Sequence, residues 1–431
     1  EEVAFRIKAG TRYREVLAAL FLAGVRNIQP RPVGFKFHAV LVVNSAHLAS
    51  LNSPDSDRWL PIFWALDYFK SSQARDQMEG DWTLSEAEES NLPSSSEAKG
   101  LFIEAMDQWD EAKSDRAITA LARSTDQRDL FNLFCHYGAR DFRDIGHKAI
   151  YVANGWRTLQ TIGWKHSEPV LRSLAYALLE RGRGNPAEND FAADRPGRSN
   201  LSALNQIRQG WFRGETRIEA TRDLLQVLRF GNWQDASDKV IELLNGRIDP
   251  QSIWDALFQH AAEMMMRRPG IVSLHACTST NAIHFLYQKT TSDEMRRFLI
   301  LQNAAFLTLF RKSGGVGDGI SIEDFEAAEG QPGIEDILDS LGNNRLEAAR
   351  KSLAFLQQSG DPQSFVEAAQ RMIYLKGRDS HDYKFSSAML EDFHHLSPGL
   401  RARFLSALVF WLDGSDRPDN KLVARTRAAF T

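Results

Sequence analysis

The segment HACTSTNAIH at residues 275–284 decides the fold, because a second segment of the same plan, HAVLVVNSAH, stands at residues 38–47. Both read His-Ala-x4-Asn-x2-His. Each follows an amphipathic stretch of about a dozen residues and a short polar turn, which is typical of a helical hairpin. Repetition of such a unit within one chain predicts an architecture of stacked helical repeats.

Two further segments share this plan more loosely. Residues 127–150 lead to His147, and residues 362–384 lead to His381. In all four segments we expect the histidine to open the second helix of its hairpin. The predicted units cover about residues 10–55, 112–165, 232–290 and 344–396.

The rest of the chain also has helical periodicity and little strand character. Apolar residues recur at three- and four-residue spacing, and alternating runs of β-branched residues are nearly absent. Stretches rich in Gly, Ser, Pro or charged residues predict surface loops at residues 79–100, 182–199 and 313–333. We therefore predict one large all-α domain, residues 1–431, built from the four hairpin units.

Composition excludes several classes of protein. The chain has 431 residues and a formal net charge of −4, so it lacks the basic field that a nucleic-acid partner requires. Its two cysteines cannot form a disulfide framework or a cysteine-based zinc site. No apolar run reaches the roughly 20 residues needed to span a membrane. The chain starts with Glu1, which is compatible with a trimmed leader; we expect a cytoplasmic protein, with compartment and oligomeric state left open.

The four histidines are candidate metal ligands. Equivalent positions in stacked helix pairs point toward a common axis, so the side chains could meet at one centre. Imidazole is a common ligand of iron, copper, nickel and zinc. Four imidazoles without a thiolate favour a transition metal in redox or oxygen chemistry over a structural zinc. The predicted ligands are His38, His147, His275 and His381.

Lys384 adds a further group to this prediction. It lies three residues after His381, on the same face of a helix. The equivalent residues of the other units are apolar or neutral: Leu41, Ile150 and Thr278. A lysine buried there would be deprotonated, would pair with an acid, or would react with carbon dioxide to form an anionic carbamate.

Four short segments resemble the questin oxidase-like proteins: GHKAI (146–150), LHACT (274–278), LQNAAF (301–306) and HDYK (381–384). The resemblance implies an all-helical enzyme that oxidises aromatic polyketides such as anthraquinones with dioxygen. It also implies a non-heme iron site of histidines and a carboxylated lysine. Carried over onto this chain, the ligands are His38, His147, His275, His381 and Lys384.

Other polar residues are candidates for substrate contact or for support of the site. That family tends to have a second histidine where this chain has Tyr151, and Arg157 and His166 follow soon after; these three are the candidate catalytic residues. His47 and His284 lie half a helical turn out of phase with the ligands, which favours supporting or core roles. Asn44 and Asn281 are predicted to pack between helices. The remaining histidines considered are possible substitute ligands, His136 and His260, and an adventitious surface pair, His394 and His395.

The leading hypothesis is a mononuclear non-heme oxygenase or oxidase that acts on an organic small molecule, for example an aromatic one. Iron is the favoured metal, with zinc, nickel or manganese as alternatives. A metal-dependent hydrolase, in which the metal activates water, is the second hypothesis. A helical-repeat interaction protein whose histidines are structural is the third.

Overall fold

The computed structural model describes residues 1–359 and 362–431. The α-helices in these ranges are α1 (Glu2–Lys8), α2 (Tyr13–Asn27), α3 (His38–Leu41), α4 (Val43–Leu51), α5 (Leu60–Glu79), α6 (Ser95–Gln108), α7 (Glu111–Ser124), α8 (Gln127–Ala139), α9 (His147–Ile162), α10 (Ser167–Leu178), α11 (Arg195–Ala203), α12 (Ile218–Phe230), α13 (Trp233–Asn245), α14 (Pro250–Arg267), α15 (Ile271–Lys289), α16 (Asp293–Gly314), α17 (Ile334–Ser340), α18 (Arg345–Ser359), α19 (Gln363–Lys376), α20 (Ser380–Asp392), α21 (Arg401–Ser406) and α22 (Lys421–Phe430).

The all-α prediction is confirmed. Short 3₁₀-helices join several of the α-helices: Phe35–Phe37, Glu89–Asn91, Asp144–Gly146, Trp164–His166, Leu204–Gln206, Phe393–His395, Pro398–Leu400 and Ala407–Phe410. The extended pairing found in the described ranges is an isolated parallel bridge between Glu215 and Ile248. None of the helices described is long and apolar enough to cross a membrane.

Polar residues at the helix starts explain several of the boundaries. The carboxylate of Asp249 accepts the backbone N–H of Gln251, and Pro250 occupies the first helical position of α14. The side chains of Asp110 and Asp126 cap α7 and α8 in the same way. Each cap satisfies a backbone donor that has no partner inside the helix, so these sequences start helices at defined residues.

An inner ring is formed by α9, α15 and α20, which carry three of the predicted ligands, and by α4, which directly follows α3, the helix that carries His38. Helix α4 packs against α9, α9 against α15, α15 against α20, and α20 against α4. Outer helices cover this ring: α2 and α5 contact α4, α8 and α10 contact α9, α14 and α16 contact α15, and α19 contacts α20. Each of the four histidines lies within the first five residues of its helix, so the N-terminal ends of these helices come together where the histidines meet.

In each predicted unit a helix precedes the helix that carries the histidine, and several of the predicted boundaries need correction. His38 and His147 open α3 and α9, and His381 is the second residue of α20. His275 does not open its helix, because α15 begins at Ile271. The predicted loops at residues 79–100 and 182–199 are too long, since α6 begins at Ser95 and α11 at Arg195. In both cases a proline or serine that suggested a loop lies in or next to the first turn of a helix.

Candidate metal centre

The four histidines meet inside the ring. One ring nitrogen of each lies within 4.8 Å of those of the other three, and all four side chains are buried. Nε2 of His147 lies 2.8 Å from Nε2 of His38 and 2.8 Å from Nε2 of His275. His381 closes the group, with its ring centroid 4.5 Å from that of His38 and 5.1 Å from that of His275. The group has the spacing and ligand type of a metal centre.

Hydrogen bonds at Nδ1 fix the protonation of two of these rings. Nδ1 of His147 lies 2.6 Å from the backbone oxygen of Asp144, and Nδ1 of His275 lies 2.7 Å from that of Ile271. A carbonyl oxygen can only accept a hydrogen bond, so both rings carry their proton on Nδ1. Each therefore presents an unprotonated Nε2 to the centre.

Two unprotonated nitrogens 2.8 Å apart repel each other unless a cation lies between them. A second proton on either ring is disfavoured. Burial lowers the pKa of His147 and His275 well below the usual 6.5, and the nearby Lys384 and the other histidines lower it further. The donor set therefore fits a bound metal ion, which would accept both lone pairs.

Asp379 holds the fourth ring. Its carboxylate accepts the backbone N–H of His381 as the helix cap, and it also accepts Nδ1–H of the same residue. Burial opposes ionisation of Asp379, yet the hydrogen bonds from His381 outweigh it and lower the pKa of the carboxyl. The Nε2 of His381 is shielded from solvent and has no hydrogen-bond partner among the described residues. A carboxylate behind a ligating imidazole orients the ring and raises its basicity.

Strained turns bring His38 and His147 together. Asp144, Ile145 and Gly146 have φ values of 50°, 44° and 78°, in the left-handed region that a branched residue such as Ile rarely adopts. Before His38, Gly34 has a φ of 135°, and a Cβ there would lie 3.2 Å from Cε1 of His147. Strain of this kind persists only where surrounding packing imposes it, and it is concentrated at functional sites.

Lys384 lies in the ring beside the histidines. It is 3% exposed, and its Nζ has no hydrogen-bond partner among the described residues. Burial lowers the pKa of its ammonium to about 7, although Asp379 opposes the shift. Its charge in turn contributes to the lowered pKa of all four histidines. A substantial fraction of Lys384 is therefore a free amine near neutral pH.

A cavity of about 1300 Å³ is lined in part by α20. Tyr383 and Ser387, on either side of Lys384 in the sequence, belong to its lining. Further walls come from α4, α9, α17 and α19. Its volume would admit a substantial organic molecule.

Arg157 lies in the wall of this cavity, where it forms an ion pair with Glu391. Its guanidinium donates to both carboxylate oxygens of Glu391, at 2.7 and 2.8 Å, and to the amide oxygens of Asn154 and Asn281, each at 3.1 Å. Asn154 in turn donates to the backbone oxygen of Leu41, one turn after His38. This network joins all four ligand-bearing helices.

The other two candidate catalytic residues lie elsewhere. The buried hydroxyl of Tyr151 donates to Ser173 at 2.9 Å, and its ring packs edge-on against Phe37. His166 ends the 3₁₀-helix before α10, next to Lys165, and is not part of the cavity lining. The structure therefore gives neither residue a place at the metal centre or the cavity.

The remaining histidines do not join the centre. His136 packs against Phe298, and both nitrogens of the buried His260 lack a hydrogen-bond partner among the described residues. The rings of His284 and His395 lie 4.7 Å apart, and the exposed His394 lies at the cavity wall. His47 lines the cavity beside Tyr13. The out-of-phase placement predicted for His47 and His284 agrees with these positions.

Asp379, Glu391 and the two carbonyl groups that accept Nδ1–H of His147 and His275 were not predicted from the sequence. Asp379 carried a usable signal, because an aspartate just before a predicted helix is a candidate cap. The carbonyl oxygens of Asp144 and Ile271 gave no sequence signal, because every residue has such a group.

The chain matches no protein-family model, and comparisons with curated proteins and with solved structures give no match either. Its fold and site define it by themselves as an all-helical protein with a buried cluster of four histidines that could hold a metal ion.

Proposed function

We propose that this protein is a mononuclear non-heme metal oxygenase or oxidase that acts on an organic substrate bound in the cavity beside Lys384. The observation that supports this most is the pair of unprotonated Nε2 atoms of His147 and His275, which need a cation between them. The resemblance to questin oxidase-like proteins points to the same chemistry and to an aromatic substrate.

Iron is the metal we propose. Neutral imidazoles suit several divalent metals, and affinity alone would not select iron among them. An additional anionic oxygen ligand would favour Fe(II) over a site of four neutral ligands. Lys384 could supply that oxygen as a carbamate, because its free amine can add to carbon dioxide with loss of a proton. Burial protects such an adduct from bulk water.

The protein's own groups would prepare the site. The Nδ1–H donors of His147, His275 and His381 are held by Asp144, Ile271 and Asp379, which aims their Nε2 lone pairs inward. The bound metal would supply activation of dioxygen. The cavity would hold the substrate near the centre and limit access of water.

Metal analysis tests the proposal. Protein purified without chelators should contain roughly one iron per chain, as expected for one closed ligand cluster. His275→Ala should lose the metal, whereas His166→Ala, outside the centre, should keep it. Oxygen uptake with candidate aromatic substrates then separates an oxygenase from a hydrolase that uses zinc, nickel or manganese. Absence of any transition metal from wild-type protein would count against the proposal.

Lys384 has its own test. Protein equilibrated with ¹³C-labelled bicarbonate should show a carbamate carbonyl signal that disappears in Lys384→Met. Lys384→Glu, which retains an anionic oxygen, should hold metal better than Lys384→Met. Equal metal binding by the two variants would exclude an oxygen ligand at this position.

A further inference from the structure

The cavity contains a histidine that the metal centre does not use. His47 lies on α4, nine residues after His38, and belongs to the cavity lining. Its Nδ1 lies 2.9 Å from the hydroxyl of Tyr13, which comes from α2. His47 thus lines the cavity while the protein holds one of its ring nitrogens, so Nε2 is the nitrogen left to interact with a ligand.

The position of the ring is closely defined. Tyr13 itself is packed against Trp59, with ring centroids 5.3 Å apart, and the guanidinium of Arg58 lies 5.0 Å from the centroid of the Tyr13 ring. The residue that orients His47 is therefore held in place by its own neighbours. A base that lines a cavity and is oriented by a second polar group has the arrangement of a general acid–base residue.

The charge state of His47 suits the same role. Burial lowers the pKa of its imidazole from 6.5, and the positive charge of Arg58 lowers it further. The neutral ring can accept a proton at Nε2 while its Nδ1–H donates to Tyr13. Arg157 and Glu391, which also line the cavity, form an ion pair with each other. The remaining ionisable residues of the lining are Glu335, Glu367, Arg371, Tyr374, Tyr383 and His394.

Uncharged polar groups also line the cavity: Asn44 and Ser45 come from α4, and Ser387 comes from α20. Together with the neutral imidazole of His47, these groups fit a ligand that is itself uncharged and bears a weakly acidic hydroxyl.

We infer that His47, oriented by Tyr13, is the acid–base residue of the cavity and binds the hydroxyl of a phenolic or enolic ligand. The ligand O–H bond breaks as an N–H bond forms at Nε2. The ligand keeps the electron pair as a phenolate or enolate, and the imidazolium donates its Nδ1–H to the Tyr13 oxygen. This inference rests on the proposed function in that the cavity is taken as the substrate chamber.

Two matched probes test the inference: 2-naphthol, and 2-methoxynaphthalene, which lacks the hydroxyl proton. Wild-type protein should bind 2-naphthol roughly five- to tenfold more tightly, the value of one good hydrogen bond. Ionisation of the bound naphthol, followed by its absorbance, should occur at lower pH than ionisation of free naphthol. His47→Phe should remove both effects, and Tyr13→Phe should weaken them.

Two further variants keep the test decisive. His166→Phe changes a histidine outside the cavity lining and should preserve both effects. His47→Gln retains a polar side chain that cannot take the proton, so it should keep part of the affinity preference and lose the ionisation shift. Circular dichroism confirms that each variant is folded.

Equal affinity of wild-type protein for the two probes, or an unchanged preference in His47→Phe, would overturn the inference. Metal content is measured on the same samples. A protein without metal that still prefers 2-naphthol would refute the proposed function and leave the role of His47 intact.

Discussion

The Nε2 atoms of His147 and His275 lie 2.8 Å apart, although the other nitrogen of each ring already donates its proton to a backbone carbonyl. Neither nitrogen can satisfy the other. The folded chain therefore brings two lone pairs close together in a buried site, and a cation bound by both nitrogens would relieve their repulsion.

Removal of metal should accordingly destabilise the protein. A ligand that binds only the folded state stabilises it by about 2.7 kcal/mol at a free concentration of 100 times Kd. We expect chelator to lower the melting temperature and Fe(II) or Zn(II) to restore it. His275→Ala should show no such response. An identical melting temperature with and without chelator in the wild type would contradict the metal assignment.

Asp379→Asn tests how much the negative charge of the carboxylate that accepts Nδ1–H of His381 contributes to metal binding. Asparagine can still cap α20 through its side-chain oxygen, so the helix start should survive. The ring, however, loses its carboxylate partner, and we expect metal affinity to fall roughly 10- to 100-fold. Competition with a chromophoric chelator measures this. Asp55→Asn, in an exposed loop, is the control, and affinity unchanged in Asp379→Asn would show that the carboxylate does not tune the ligand.

Gly146→Ala tests the strained turn before His147. Gly146 has a φ of 78°, and a Cβ there would lie 2.5 Å from Oγ of Ser279. We expect a loss of about 1–3 kcal/mol in the free energy of unfolding and weaker metal binding, because the turn sets the position of the ligand. Gly100→Ala, within α6 and with no atom within 4 Å of its added Cβ, should be neutral or stabilising. Denaturant titration measures the free energy of unfolding of both variants. The comparison separates the effect of backbone strain at Gly146 from the general effect of replacing a glycine by alanine.

Acid should destabilise the metal-free protein below about pH 6.5, the usual pKa of histidine. Burial lowers the pKa of His275 in the fold, so in this range the unfolded chain binds a proton that the folded chain does not. The stabilisation is complete above the unfolded pKa and is lost as the pH falls, by about 1.4 kcal/mol per pH unit for such a group. Metal-free His275→Gln should therefore show a shallower decline between pH 6.5 and 5 than metal-free wild type. The more exposed His166→Gln should follow the wild type, and equal slopes for all three proteins would contradict the prediction.

The helical class and the four histidines could be predicted from the sequence, because both depend on local repetition. Helical periodicity is a property of neighbouring residues, so it indicates helices such as α12 without knowledge of what they pack against. The repeated segments at 38–47 and 275–284 placed equivalent residues in equivalent helices, and stacking then brought them together. Lys384 could be found in the same way, from its register with His381.

What faces those residues was decided only by the tertiary structure. The carbonyl oxygens that fix the tautomers of His147 and His275, and the tyrosine from α2 that orients His47, come from backbone groups or distant segments with no sequence pattern. Arg157 pairs with Glu391, 234 residues away, and the cavity exists because α4, α9, α17, α19 and α20 surround it. Periodicity fixes which face of a helix is buried, but the partner of that face is set by the relative rotation and offset of packed helices, which no single segment encodes.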